Sequence, residues 1–167
     1  MGSSAQLERV LLDLRREYLR SLETPPDEDA GSEALLRVRA GGLGLLLRLC
    51  DLREIVRVPE RVPLPGRAGR SLAPVRGRLL AVADLGAVAL GRASMFGPKA
   101  RLCTLRADDQ AGVLVESVID VARGADQDVA RALGEGGPGA ALRGPMPGGE
   151  RLVDGARLAT LVLQGGA

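Results

Sequence analysis

At 167 residues the chain is long enough for one domain, or two small lobes around a shared core, without a disulfide or metal staple. Its apolar mass is almost entirely aliphatic, since Tyr18 and Phe96 are the only aromatics, and a reader of single-stranded nucleic acid needs more stacking platforms than that. The net charge is +2 and His is absent, so the usual general base near neutral pH, the usual metal ligand and the serine–histidine pair are all missing.

Residues 3–23 read as a helix. Leu7, Val10, Leu11, Leu14, Tyr18 and Leu22 recur at spacings of three and four and form one apolar stripe. Ser3 with Gln6 fits a capping box, Asp13 with Arg16 and Glu17 with Arg20 fit i,i+3 pairs, and Pro25-Pro26 ends the segment. A lone helix of this length is marginal in water, so its stripe has to dock on the body of the protein, on a partner or on a second copy. Thr24 to Glu33 is acidic and Pro-rich without an apolar period, which predicts a linker. Residues 1–33 are therefore expected to be an appendage and residues 34–167 the main domain.

From residue 34 the pattern is one of short strands. Leu36 and Val38 alternate with Arg37 and Arg39, and Gly41-Gly42 predicts a tight hairpin into Leu43 to Leu49. Two β-type segments follow, Leu52 to Pro59 and Val75 to Leu85, joined by a loop of Pro, Gly and Arg. Leu102 to Arg106 and Gly112 to Ile119 are further strands, with Asp108-Asp109 as turn residues between them. Asp126 to Leu133 fits a short helix, and residues 134–149, rich in Gly and Pro, predict a long mobile loop. Arg151 to Val153 and Ala156 to Leu163 flank Asp154-Gly155, a strong two-residue hairpin signal. Many short strands divided by turns predict an antiparallel barrel or sandwich in place of a parallel sheet.

The charge is unevenly spread. Residues 34–80 carry ten Arg against three acids, and the five arginines at 61, 67, 70, 76 and 78 have no acid between them. That density suits an acidic partner or phosphate, or simply a solvated face, in a chain with 22 Arg and one Lys. Cys50 and Cys103 lie far apart in apolar segments and are expected to be buried reduced thiols. Gly134, Gly136 and Gly139 match a dinucleotide-binding spacing by letter, but no strand leads into them and Pro138 interrupts them. No apolar run reaches the roughly 18–20 residues of a membrane span, and the N-terminus lacks a signal-peptide pattern, so a cytoplasmic location is expected. No cofactor and no metal site are expected.

Three elements in order carry a family resemblance. Glu54-Ile55-Val56-Arg57-Val58-Pro59 is followed by Val75-Arg76-Gly77 and then by Val82-Ala83-Asp84-Leu85. Gly112 to Val121, Leu142-Arg143-Gly144 and the region of Asp154-Gly155 continue the series. Together they resemble the CheW-like adaptor family of bacterial chemosensory systems, over about residues 34–164. The resemblance implies two five-stranded, SH3-like β-barrel lobes sharing a core, and no catalytic activity. It implies as partners the cytoplasmic domain of methyl-accepting chemoreceptors and the regulatory domain of a CheA-type histidine kinase, with no nucleic acid and no membrane insertion.

On this resemblance Arg76 is the interaction arginine, its planar fork suited to a carboxylate and Gly77 permitting close backbone approach; a structural arginine bonding a loop carbonyl is the other reading. Ile55, Val56 and Val58 are barrel core first and docking residues second, with Arg57 beside them. Pro74 stands where the family usually has Asn, Ala81 where Pro is common, and Leu36 and Leu43 where aromatics are usual. Two rivals are weighed against the adaptor: a receptor-binding regulatory subunit that does not reach the kinase, and a small nucleic-acid-binding barrel, whose affinity would fall steeply with salt.

Overall fold

The computed structural model describes residues 3–23 and 31–164, and side chains within 9–20 and 31–164. The predicted linker at residues 24–30, the side chains of Ser3, Leu7 and Leu22, and the tail Gly165-Gly166 lie outside them. Two units are distinguished, Met1–Ser32 and Glu33–Ala167. The first holds helix α1 (Ser3–Glu23), the helix read from its apolar period. Within it Leu14 is half-buried, whereas Val10, Leu11 and Tyr18 are exposed.

The second unit is mainly β. Strand β1 (Ser32–Ala40) takes in the last two residues assigned to the linker, Ser32 and Glu33, whose polar composition hid their place on the strand. It turns through Gly41 and Gly42, at φ 56° and 77°, into β2 (Leu43–Arg48), the predicted hairpin, with Ala40 opposite Leu43. A single 3₁₀ turn (Leu49–Asp51) leads to β3 (Leu52–Arg57), then β4 (Val62–Pro63), β5 (Arg70–Val75) and β6 (Arg78–Asp84). The chain continues through α2 (Leu85–Leu90), β7 (Arg101–Leu105), β8 (Ala111–Val115), β9 (Ser117–Ala125), α3 (Asp126–Gly134), β10 (Leu142–Pro145), β11 (Arg151–Val153) and α4 (Gly155–Gln164). Five strands form one sheet in the order β10-β11-β2-β1-β9, and six form the other in the order β3-β7-β8-β6-β5-β4.

Each sheet has a small core of its own and turns a face to a common one. In the six-stranded sheet Ala73, Val75, Leu80, Val82, Leu102 and Leu114 enclose one cluster, against which Val56 and Val58 pack. In the five-stranded sheet Leu35, Leu46 and Leu152 pack on Val129 and Ala132 of α3. Between them Leu36, Val38, Leu45 and Leu47 meet Leu52, Cys103, Leu105, Val113 and Val115, with Leu158 and Val162 of α4 and partly buried Ile55 completing the shared core. Alternation along each strand explains this division, since neighbours such as Val113 and Leu114 point to opposite faces. The architecture is the two-lobed, mainly β one expected, with mixed sheets.

Several local expectations are corrected. The sheets are not purely antiparallel, because β6 runs parallel to β8 and β11 parallel to β2. Asp154-Gly155 is no hairpin: Asp154 Oδ1 accepts from the N–H groups of Ala156 and Arg157 at 3.0 and 3.2 Å, and so caps α4. Leu158, Ala159 and Val162 recur at helical spacing, the period that an apolar run of this length concealed. Leu85 likewise opens α2, capped by Asp84, instead of ending a strand. The run Gly112 to Ile119 breaks at Glu116, where the chain passes from one sheet to the other, and Glu116 Oε1 fixes the N–H groups of Gly42 and Met95 there. Strand β10 occupies the middle of the predicted mobile loop, stitched to β11. Cys50 is exposed, because it sits in the 3₁₀ turn and not on a strand; Cys103 is buried, and burial pushes its thiol up to about 12.

Candidate functional site

The segment around Arg76 is built by a hairpin. Strands β5 and β6 pair as far as Val75 opposite Arg78, which leaves Arg76 and Gly77 as the two turn residues. Their φ values are 48° and 76°, and positive φ at both is what a type I′ turn requires. Gly77 adopts this backbone freely. Arg76 is the only non-glycine residue with positive φ among the described ones, and an L-residue held there costs about 1 kcal/mol or more. Arg76 therefore stands on a turn tip.

The tip does not stand free of the sheet. The Nε of Arg76 donates to Glu54 Oε2 at 2.6 Å, although β3, which carries Glu54, lies at the opposite edge of the strand order from β4 and β5. The six-stranded sheet must curl for its edge to meet the tip of its own hairpin. Arg76 keeps 77% of its side chain exposed while Glu54 keeps 23%. The ion pair thus uses the Nε of the guanidinium for positioning and leaves most of the Arg76 side chain in solvent, where it could hold an incoming carboxylate.

Glu54 and Arg76 share a cleft of about 330 Å³ with Arg53, Arg78, Thr104 and Asp109. Arg78 NH1 is bound by Asp109 Oδ2 at 2.7 Å, and the Thr104 hydroxyl lies between Glu54 N–H, which it accepts at 3.2 Å, and Glu54 C=O. Asp108 accepts from Gln110 N–H, the turn role expected of it, whereas Asp109 does more than turn the chain. Sequence reading assigned no site role to Glu54 or Asp109. Glu54 sits inside the motif that carries the resemblance, but its partner lies 22 residues away, so no local spacing marks the pair.

The other residues singled out lie elsewhere. Ile55 packs into the shared core, Val56 and Val58 into the core of the six-stranded sheet, and all three are half-buried. Arg57 is exposed at the end of β3 opposite Arg101, whose pKa is lowered first by burial and then by Arg57. None of these four lines the Arg76 cleft. Among the described residues no group of three His, Cys, Asp or Glu side chains is placed to hold a metal, and no helix is long and apolar enough to cross a membrane. The cleft offers guanidinium groups and carboxylates already paired with them, an arrangement suited to binding.

A family model described as CheW-like domain matches residues 34–155. Among solved structures the scaffolding protein TtCheW from Thermoanaerobacter tengcongensis is similar, with 18% identity and a TM-score of 0.52 over 57% of this chain and 68% of that one, a likeness of fold. No curated protein is significantly similar to the chain.

Proposed function

The chain belongs to the CheW-like domain family, and on that premise we propose that it is a non-catalytic adaptor coupling chemoreceptors to a CheA-type histidine kinase in a chemosensory pathway. Residues 34–167 form the adaptor domain, residues 1–33 its appendage, and it works in the cytoplasm. The observation that carries the reading is Arg76. A hairpin tip with two positive φ angles favours Asn-Gly, yet an arginine occupies the strained position, pinned by Glu54 with most of its side chain in solvent. Strain kept at an exposed charged residue supports a binding role over a structural one. Gly77 next to it has nothing within 4 Å of where a side chain would begin, so a partner's backbone can approach. Arg57 is exposed at the end of β3, the edge strand that also carries Glu54, and Ile55, Val56 and Val58 hold that segment in place from inside.

The test is association of the purified protein with the cytoplasmic fragment of its co-encoded receptor and with the kinase regulatory domain, by calorimetry. Binding to both is expected. Binding to neither removes the adaptor assignment, and binding to the receptor alone makes the protein a receptor-docking subunit.

A further inference from the structure

The five arginines between residues 61 and 78 fall into two groups in the fold. Arg76 and Arg78 are held by Glu54 and Asp109. Arg61, Arg67 and Arg70 instead line a second cleft, of about 580 Å³, whose apolar surface comes from Leu64, Phe96 and Leu114. Among the described residues no carboxylate pairs with any of these three. Arg70 NH1 donates to the carbonyl of Val162 at 3.0 Å, and the Arg61 guanidinium lies 5.6 Å from the centre of the Phe96 ring. The one acid lining the cleft is Asp84, and it is already occupied. Its Oδ1 accepts from Gly86 N–H and the Ser94 hydroxyl, and its Oδ2 from Ser94 N–H at 2.7 Å.

The loop that presents these arginines is fixed by its own backbone. Leu64 N–H donates to Arg70 C=O at 3.0 Å, Arg67 N–H to Leu64 C=O at 3.2 Å, and Arg70 N–H to Arg67 C=O at 3.2 Å. The pKa of Arg70 is lowered by burial and by the neighbouring Arg67. Two crowded like charges beside an apolar floor are relieved by an anion that brings its own hydrophobic surface.

We propose that this second cleft docks an acidic peptide segment of a partner protein, its carboxylates paired with Arg67 and Arg70 and an adjacent aliphatic side chain seated on Leu64 and Leu114 beside Phe96. The observations favour a peptide over nucleic acid. The positive charge is gathered in one pocket and does not run along a track, and a single aromatic offers no series of bases a place to stack. The cleft is separate from the Arg76 tip, so the inference goes beyond the adaptor reading.

Fluorescence anisotropy of a labelled Glu-Leu-Glu-Glu-Leu-Glu peptide tests it, with the Gln-for-Glu peptide and a short oligothymidylate as competitors. The full chain is expected to bind the acidic peptide, to ignore the Gln version, and to bind more weakly as salt rises. Arg67→Glu, in an exposed turn, is expected to weaken binding at least about tenfold, with Arg61→Glu as a second variant at the rim. Arg157→Glu, which changes net charge equally at an exposed position on α4, is the comparison. Equal losses in all three variants would mean bulk charge and not a site, and would overturn the proposal. So would unchanged binding by Arg67→Glu and Arg61→Glu with their thermal melts intact, or displacement by oligothymidylate at lower concentration than by unlabelled peptide. Because the probe is neither a receptor nor a kinase fragment, its outcome stands apart from that of the adaptor test.

Discussion

Charge and backbone conformation at position 76 can be separated with two substitutions. Arg76→Glu removes an ion pair in which Arg76 is 77% exposed, and sets a second carboxylate near Glu54. An exposed pair is worth up to about 1 kcal/mol and the repulsion replacing it about the same, so stability should fall by about 1–2 kcal/mol. In a domain of this size that is a Tm decrease of roughly 2–8 °C. From a total stability of about 5–15 kcal/mol the protein remains folded. A partner carboxylate held by the free guanidinium edge contributes about 1.5–3 kcal/mol, and reversing the charge removes that and adds repulsion, so affinity should drop by roughly 30-fold or more. Arg76→Asn separates the two effects. Asn tolerates positive φ, so the relief of strain offsets the lost pair and the melt should stay within about 3 °C of the parent, while affinity still falls. Calorimetric titration of the receptor fragment, alongside thermal melting by circular dichroism, reads both quantities. Full affinity in either variant, with the fold retained, would refute the reasoning and make Arg76 a structural residue.

Other expectations concern the frame around the cleft. Asp154→Ala removes the cap of α4 and strips Arg143, itself largely buried, of its carboxylate at 3.1 Å; a loss of about 2–3 kcal/mol in urea unfolding is expected. Gly155→Ala would put its new carbon 2.5 Å from Asp51 Cβ, and overpacking of this kind costs about 1–3 kcal/mol, read in the same experiment. Cys50 should react with a thiol reagent in the native protein while Cys103 reacts only on unfolding. Cys103 also sets a pH dependence. Its native thiol is raised from 9.0 to about 12, so the folded form is favoured fully below pH 9, and this contribution is lost as pH climbs from about 9 to about 12. Unfolding midpoints of the Cys103→Ala protein, compared with the parent across that window, should lack this part of the alkaline slope.

Where residue type alone dictates backbone geometry, the fold was legible. Gly41-Gly42 could hardly be anything but a turn, and the leucine spacing of α1 and the apolar spacing of α3 mark helices whatever surrounds them. Legibility failed where one residue type serves two geometries. Asp-Gly begins a helix as readily as it turns a hairpin, and only the burial of Leu158, Ala159 and Val162 on one side decides between them. It failed again where a strand changes sheet, because β8 and β9 read as one apolar run and the break at Glu116 is imposed by tertiary packing. In the cleft, the motif singles out Arg76 by residue type, but its place on a turn tip comes from the fold. Its bond to Glu54, across strands that are not neighbours, and the division of five arginines between two clefts depend on the curl of a sheet, which no local pattern encodes.

The parallel pairing of β11 with β2 bears on how the protein is made. Leu45, Leu46 and Leu47 emerge from the ribosome before the other sheet, but their partners Arg151, Leu152 and Val153 follow only after all six strands of that sheet have been translated. Until then one side of β2 is an unpaired, leucine-rich edge, the kind of surface on which nascent chains stick to one another. The sheet begun first is completed last, so the newborn chain passes through a stage that favours slow assembly and chaperone protection.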